Sequence, residues 1–407
     1  MRLGSGADGR SLGELSYCTN VHPGEDWASM RRTLEGPVRA VKAGWCPAAE
    51  MAVGLRVAAR AAEELDDGAV RELAELFEVE GMFLSTINGF VHGAFHGRPV
   101  KAGVYEPGWD HEARATYTLR LARIAAALVP TSARPSISTV PLGIRGDAGV
   151  GKGASDRRAR CVQQLRAVAD ELAALEDRTG VWVSLGIEPE PGCALETGAE
   201  AIDFLDEELL VGTTAERERW RRHVGLCLDA CHAAVAFEDP LELVAEAERR
   251  GVSIPKLQVS SALVLPRADA AGRAALAEFR DEVYLHQVVA GPAPDRPELR
   301  RWLDLPEALA DASETERVSS WRIHYHVPVF AEAMPPFATT RDSLERLLRR
   351  QAREPFTNQL EVETYTWGVL PPARRGGDGE TALVDNLVRE LRWSQGILES
   401  AAEESSR

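Results

Sequence analysis

The sequence predicts a single (β/α)8 barrel, the α/β fold in which eight parallel strands alternate with helices around a closed sheet. Short apolar runs and amphipathic helical segments alternate along the chain, a rhythm typical of a mostly parallel sheet covered by helices. We expect strands to begin near Leu15, Met51, Met82, Ser136, Val181, Val224, Ile254, Trp321 and Gln359. Carboxylates and histidines stand at the downstream ends of several runs, and in a barrel these ends meet at one mouth.

The nine predicted strands are one more than the barrel needs. The excess falls near residues 262–320, a stretch rich in Pro, Asp and Arg. We interpret it as an insertion after the seventh strand that carries the extra strand EVYLHQVVA; alternatively, WRIHYHV is the supernumerary strand. The expected organisation is one barrel domain over residues 1–400, with the insertion at about 262–320, and a frayed tail over 401–407.

Charge and composition narrow the class of protein. The net charge of -16 argues against nucleic acid or an anionic membrane surface as the main partner. The six cysteines form no CxxC pair, as expected for reduced thiols, although Cys227 and Cys231 flank Asp229 and offer an alternative pair of soft metal ligands. No run is long enough to span a membrane and the first residues have no apolar signal segment. We expect a cytoplasmic protein that is not embedded in a membrane.

Metal-ligand and acid–base side chains cluster at the ends of the later strands. They are Glu188 and Glu190 in LGIEPEPGC, Asp229 and His232 in VGLCLDACH, Gln258 in KLQVSS, His324 and His326 in WRIHYHVPVF, and Glu361 and Glu363 in QLEVETYTW. Such groups can hold a divalent metal or move protons. Because the prolines of EPEP cannot donate ladder hydrogen bonds, we expect Glu188 to point inward and Glu190 to lie at the rim. Glu363 lies closer to the carboxyl end than Glu361 and is the preferred ligand.

Further polar residues follow the first, third and last predicted strands. Together with groups named above they form the predicted substrate contacts, which are His22, Asn88, His92, His96, Glu190, His324 and Trp367. An alternative stays open, in which the carboxylates form buried ion pairs with Arg56, Arg145 or Arg322.

A glycine-rich segment suggests a different class of function. The run GDAGVGKG from Gly146 to Gly153 nearly spells a phosphate loop before a helix, but Gly153 lacks the hydroxyl that such a loop offers to Mg²⁺. The pattern therefore favours weak phosphate contact at Gly151 and Lys152 over nucleotide hydrolysis.

The order Glu, Asp-x-x-His, Gln or His, Glu at the ends of the last four strands resembles the xylose-isomerase-like barrels, which include sugar isomerases and epimerases. More specifically, the chain resembles the EboE-type metabolite traffic proteins of bacterial Ebo gene clusters from about Ser16 to Pro372. This closer resemblance is carried by SYCTNVHPGEDW, TINGFVHGAFHG, STVPLG, EPEPGC, KLQVSSAL, HYHVPVF and EVETYTWGVLP.

The resemblance implies a xylose-isomerase-like barrel with a divalent-metal cofactor, Mn²⁺, Mg²⁺ or Zn²⁺. Its implied ligands are Glu188, Asp229, Gln258 and Glu363. Where Gln258 does not bind, His324 or His326 is the alternative ligand that the sequence offers, with His326 the one we include in the metal site. Gln258 stands where many relatives have histidine, and an amide oxygen suits a hard cation better than Zn²⁺. The implied catalytic groups are Glu188 and Glu363, which would exchange a substrate proton, and His232, which would position a hydroxyl.

The resemblance also implies a role in moving a small polar natural-product precursor. The implied partners are that metabolite and other Ebo proteins, including a prenyltransferase-like membrane protein. Two alternatives stay open: a metal-dependent sugar isomerase or epimerase of primary metabolism, and a carrier or scaffold without catalysis.

Overall fold

The computed structural model describes residues 1–6, 9–97, 99–145, 152–293, 296–311 and 319–405. These residues form fourteen strands: β1 Glu14–Tyr17, β2 Met51–Arg56, β3 Met82–Asn88, β4 Ser136–Thr139, β5 Ser184–Ile187, β6 Val224–Asp229, β7 Lys256–Val259, β8 Ala262–Leu265, β9 Val288–Ala290, β10 Arg300–Trp302, β11 Trp321–His326, β12 Ala333–Met334, β13 Phe337–Thr339 and β14 Gln359–Val362.

The same described residues form fourteen α-helices. These are α1 Trp27–Thr33, α2 Arg39–Trp45, α3 Ala59–Glu64, α4 Asp67–Glu80, α5 Glu112–Leu128, α6 Lys152–Thr179, α7 Gly198–Phe204, α8 Thr214–His223, α9 Ala230–Val235, α10 Pro240–Arg250, α11 Ala270–Leu276, α12 Leu305–Ala310, α13 Arg341–Arg353 and α14 Gly379–Ser405. A π-helical turn over Leu34–Val38 joins α1 to α2.

Eight parallel strands form the barrel, in the order β1-β14-β7-β6-β5-β4-β3-β2. A parallel bridge between Cys18 and Gly54 joins the two outermost strands and nearly closes the sheet. The predicted barrel is therefore confirmed. Its eighth strand is β14, so the predicted strand at Trp321 is the supernumerary one.

The sequence explains why these segments pair and stop. Every residue of β2, β6, β7 and β14 is buried, as expected for parallel strands covered on both faces. Helix α4 is capped by Asp66 and ends at Gly81, which has a left-handed φ of 61°. Helix α10 repeats this arrangement with Asp239, a proline at its first position, and Gly251.

The insertion after β7 is a second sheet. Six antiparallel strands pair in the order β10-β9-β11-β8-β13-β12. Both sequence segments considered for the extra strand belong to it, since β9 lies within EVYLHQVVA and β11 within WRIHYHV. The sheet extends to Thr339, beyond the predicted boundary at about residue 320, because the short strands β12 and β13 have no strong apolar run.

The carboxyl-terminal boundary differs from the prediction. Helix α14 continues to Ser405, so it includes residues 401–405, which were predicted to belong to a frayed tail.

Among the described helices, none combines the length and the apolar character needed to cross a membrane.

Candidate metal centre

Three buried carboxylates meet at the carboxyl end of the barrel strands. Asp229 is the last residue of β6, and Glu188 and Glu363 follow β5 and β14 by one residue. One oxygen of each side chain lies within 4.8 Å of an oxygen of the other two. We call Glu188, Asp229 and Glu363 the carboxylate centre.

The side chain of Asp229 is held in place because the residue both ends β6 and caps the N-terminus of α9. Its Oδ1 accepts hydrogen bonds from the backbone N–H of His232 and from the hydroxyl of Ser260, both at 2.8 Å. Its Oδ2 is buried and has no hydrogen-bond partner. Burial of an unpartnered carboxylate oxygen is costly, so this atom is available to a cation or a substrate.

Glu363 is held by two side-chain amides, one from the turn after β1 and one from the end of β3. The Nδ2 groups of Asn20 and Asn88 each donate to Glu363 Oε1 at 2.8 Å. Asn88 also lines the cavity beside the carboxylate centre, and its predicted contact with substrate stays a prediction. Both amide atoms of the buried Gln258 lack a hydrogen-bond partner. Gln258 therefore offers a free amide oxygen at the strand position expected of a ligand.

Three imidazoles converge beside the carboxylate centre. The Nε2 atom of His324 lies 3.1 Å from that of His232 and 3.2 Å from that of His326. His232 is on α9, whereas His324 and His326 belong to β11 of the inserted sheet. We call these three side chains the imidazole centre. Asp229 adjoins both centres, because one of its oxygens lies within 4.8 Å of nitrogens of His232 and His326.

Burial and mutual repulsion set the protonation of the carboxylate centre. Burial and the neighbouring Asp229 charge raise the pKa of Glu188 to about 8. Burial and Glu188 likewise hold the pKa of Glu363 well above its usual range. Burial also favours the neutral form of Asp229, but the neighbouring histidines, together with the hydrogen bonds from the backbone N–H of His232 and the hydroxyl of Ser260, lower its pKa. The centre thus holds protons at neutral pH that a bound cation would displace.

Burial also keeps two of these imidazoles, those of His232 and His324, neutral at neutral pH. Burial lowers the pKa of His232 to about 4 and places the pKa of His324 well below its usual value. Neutral imidazole is the form that binds metals. These residues fit a divalent cation, with oxygen donors at one centre and nitrogen donors at the other.

Glu190 occupies a different place from the one expected. It is only 4% exposed, so it is not a rim group. Its Oε1 accepts hydrogen bonds from the hydroxyl of Tyr105 at 2.6 Å and from Nε2 of Gln287 at 3.0 Å. Nδ1 of His324 lies 3.2 Å from the same oxygen. The insertion, which supplies Gln287 and His324, covers this carboxylate.

A small cavity of about 60 Å³ lies against the carboxylate centre. The polar part of its wall includes Glu188, Glu190, Glu363, His232 and His324, and the other part includes Phe90, Phe95 and Tyr365. The volume suits an ion with one or two waters, whereas sugar-sized ligands need several times more space. A sugar-sized metabolite would therefore need more space than this cavity offers.

Two predicted substrate contacts lie near this cavity without lining it. The ring of His22 is buried, and its Nε2 lies 3.1 Å from the hydroxyl of Tyr17. Nε2 of His96 lies 2.7 Å from the carbonyl oxygen of Asn20, the residue that holds Glu363. Their contact with substrate stays a prediction.

Two more predicted substrate contacts, His92 and Trp367, also do not line the cavity at the carboxylate centre. His92 packs edge-on against Tyr117, with 4.9 Å between the ring centroids. Trp367 donates from Nε1 to the buried carboxylate of Glu390 at 3.0 Å and lines a separate cavity with His22. The predicted phosphate contact cannot be placed, because Gly151 and the side chain of Lys152 lie outside the described residues.

The arginines considered as ion-pair partners bind elsewhere. Arg56 pairs with Glu25, and Arg145 pairs with Glu196 and Glu200. Arg322 donates to the carbonyl oxygen of Ala234 at 2.5 Å. Among the described contacts, none of these three arginines neutralises the carboxylate centre, so that alternative is wrong.

Sequence reasoning missed three groups around the site. Lys256 forms a buried pair with Glu361, while Tyr105 and Gln287 bind Glu190. An isolated lysine within an apolar strand was a usable signal, because such a charge is buried only with a partner. Tyr105 and Gln287 gave no signal, since they come from a loop and from the insertion.

The family of the chain follows from comparisons with known proteins. A family model described as "Xylose isomerase-like TIM barrel" matches residues 39–269, which is more than half of the chain. A comparison with curated proteins finds no match.

Three solved structures are similar to this chain. A xylose isomerase-like TIM barrel protein from Mycobacterium smegmatis in complex with magnesium is 13% identical, with a TM-score of 0.50 and coverage of 98% of this chain and 97% of that one. D-psicose 3-epimerase in the presence of D-fructose is 14% identical, with a TM-score of 0.50 and coverage of 95% and 99%. The IOLI protein with a binding zinc atom is 14% identical, with a TM-score of 0.49 and coverage of 95% and 98%. These identities concern the fold alone, whereas the family match establishes that the chain belongs to the xylose isomerase-like TIM barrel family.

Proposed function

We propose that the protein binds a divalent metal at the mouth of its barrel and acts there on a small polar metabolite with neighbouring carbonyl and hydroxyl oxygens. The observation that carries the proposal is the carboxylate centre, in which three buried acidic side chains approach within 4.8 Å and Asp229 Oδ2 has no partner. Buried charges of like sign persist when a cation compensates them.

The chain offers ligands for more than one ion. Glu188, Asp229, Glu363 and the amide oxygen of Gln258 would hold a hard cation such as Mg²⁺ or Mn²⁺. His232, His324 and His326 would hold a borderline ion such as Zn²⁺. When bound, such an ion would polarise a carbonyl and hold two adjacent substrate oxygens. A magnesium complex of a protein with this fold is consistent with the proposal.

The reaction best matched to these groups is proton exchange at a carbon next to a carbonyl, as in an isomerase or epimerase. Glu188 lies in the carboxylate centre and would remove or return the substrate proton, as a positioned carboxylate can. Glu363 is oriented by Asn20 and Asn88 and would act as its partner. His232 would position a substrate hydroxyl.

We further propose that the metabolite is a natural-product precursor handled by an EboE-type traffic protein. Support comes from the sequence segments of that family, four of which contain proposed metal ligands: EPEPGC contains Glu188, KLQVSSAL contains Gln258, HYHVPVF contains His324 and His326, and EVETYTWGVLP contains Glu363. Other Ebo proteins, including a prenyltransferase-like membrane protein, are the partners expected in that role.

The test is to load the metal-free protein with Mn²⁺, Mg²⁺ or Zn²⁺ and incubate it with a panel of neutral ketoses, aldoses and cyclic polyols in D₂O. Metal-dependent exchange of a carbon-bound proton, detected by NMR and lost in Glu363→Gln, would support the isomerase-like function. Metal-dependent binding without exchange would support a carrier, and failure to bind any metal would contradict the proposal.

A further inference from the structure

His324 differs from the other two rings of the imidazole centre in what binds its Nδ1 atom. Nδ1 of His232 lies 2.9 Å from the carbonyl oxygen of Pro189, and Nδ1 of His326 lies 2.7 Å from the carbonyl oxygen of Glu363. A carbonyl oxygen only accepts, so both Nδ1 atoms carry hydrogen. Nδ1 of His324 instead lies near two side-chain oxygens, 2.7 Å from Oε1 of Gln287 and 3.2 Å from Oε1 of Glu190. Because Glu190 Oε1 already accepts hydrogen bonds from Tyr105 and Gln287, the shorter contact with Gln287 is the one that holds the Nδ1 hydrogen.

Glu190 and Tyr105 fix the orientation of the Gln287 amide. Nε2 of Gln287 lies 3.0 Å from Oε1 of Glu190 and 2.7 Å from the oxygen of Tyr105. The Tyr105 hydroxyl donates its hydrogen to Glu190 Oε1, so the Tyr105 oxygen can only accept a hydrogen bond from Nε2 of Gln287. A reversed amide would bring two acceptor oxygens together at 3.0 Å. Gln287 Oε1 must therefore face His324 and accept its Nδ1–H.

The tautomer of His324 decides whether the imidazole centre can receive a cation. With hydrogen on all three Nδ1 atoms, the three Nε2 atoms present lone pairs to one another at 3.1 and 3.2 Å. With hydrogen on Nε2 instead, His324 would donate to His232 or His326. That hydrogen bond would satisfy the cluster internally and occupy the space of an ion.

We propose that Gln287 is a positioning residue that holds His324 in the Nδ1–H tautomer and thereby keeps the imidazole centre open to a borderline divalent cation. The inference rests on the proposed function in assigning a cation to this centre. Gln287 immediately precedes β9, so the inserted sheet takes part in the chemistry of the site. Outer partners of metal-bound histidines typically change metal affinity by about 10–100-fold when removed.

Two substitutions separate the hydrogen bond from the packing of the side chain. Gln287→Met keeps a similar size but removes the acceptor, whereas Gln287→Glu keeps an acceptor for His324 and can share a proton with Glu190. Long-range ¹H–¹⁵N spectra of the chelator-treated, histidine-labelled protein report each tautomer directly. We expect Nδ1–H for His324 in the wild type and in Gln287→Glu, and a shift toward Nε2–H in Gln287→Met. His232 and His326 are internal controls that should not change.

Titration with Co²⁺ gives the second readout. Gln287→Met should weaken Co²⁺ binding by about 10–100-fold, and Gln287→Glu should retain an affinity close to the wild type. The proposal is overturned if wild-type His324 is mainly Nε2–H, or if Gln287→Met keeps the wild-type tautomer. Absence of Co²⁺ binding in the wild type would contradict the assignment of a borderline cation to the imidazole centre, and the spectra alone would then support or overturn the role of Gln287 in holding the tautomer.

Discussion

The ammonium nitrogen of Lys256 lies 2.6 Å from Oε2 of Glu361 in the interior of the barrel, and neither side chain is exposed. Lys256 lies two residues before Gln258, and Glu361 lies two residues before Glu363, so the pair forms a layer beneath the carboxylate centre. Four carboxyl groups are buried at positions 188, 229, 361 and 363, and Lys256 forms its ion pair with only one of them, Glu361. The three carboxyl groups left without a cationic partner are the physical reason to expect a bound cation.

Replacement of Lys256 by methionine should strongly destabilise the metal-free protein, because Glu361 would remain as an uncompensated buried charge. Loss of one partner from such a pair costs about 3–5 kcal/mol. Urea unfolding in the presence of a chelator measures this cost. The double variant Lys256→Met/Glu361→Gln should recover most of it, and a single variant as stable as the wild type would contradict the assignment of the pair.

The substitutions Glu188→Gln and Glu363→Gln should each reduce metal affinity while leaving the fold intact. A carboxylate in direct contact with a cation matters more than an outer partner, so we expect a loss greater than about 100-fold. Calorimetric titration with Mn²⁺ measures the affinity. Glu246→Gln, on the exposed face of α10, is the matched control, and wild-type affinity in both site variants would rule out these ligands.

Substitution of His326 by alanine should remove the preference for borderline ions. The imidazole centre supplies nitrogen donors, whereas the carboxylate centre supplies oxygen donors, so Zn²⁺ and Co²⁺ affinity should fall more than Mg²⁺ affinity. Competition titrations with the three ions give the comparison. His92→Ala alters a histidine that packs against Tyr117, and it should leave all three affinities unchanged. An equal loss for all ions in His326→Ala would argue for one mixed site.

Metal binding should strengthen with rising pH. Burial raises the pKa of Glu188 to about 8, so in the metal-free protein this group lowers stability as pH rises from 4.5 toward about 8. A cation binds the ionised form and displaces the proton. Each displaced proton should increase affinity about tenfold per pH unit below pH 8, and the increase should level off above it. Glu188→Gln should show a shallower dependence, and pH-independent wild-type affinity would contradict the shifted pKa.

The barrel was predictable because its signal is local. Apolar runs such as those of β6 and β14 are buried on both faces, and each ends at a polar residue where the chain leaves the sheet. The alternation of strands and helices then sets the topology. The positions of Asp229 and Glu363 at one site could be predicted from this topology, because strand ends in a barrel share one mouth.

The inserted sheet and the second centre were less predictable because they depend on contacts distant in sequence. Gln287 meets Glu190 across 97 residues, and His232 meets His324 across 92. Single-sequence patterns carry no record of such pairings. Glu361 illustrates the same limit. It lies two residues before Glu363, so the sequence places both side chains on the same face of the strand and cannot separate their roles. Only the fold shows that Lys256 pairs with Glu361, and that Gly54 lies so close that a Cβ atom there would be 1.8 Å from Glu361 Oε1.

The most direct test of the central claim is the metal content of the wild-type protein, purified without chelator and measured by inductively coupled plasma mass spectrometry. We predict at least about one equivalent of Mn, Mg or Zn per chain, lowered in Glu188→Gln. A wild-type protein that holds no metal, even after incubation with Mn²⁺ and Zn²⁺, would contradict the account.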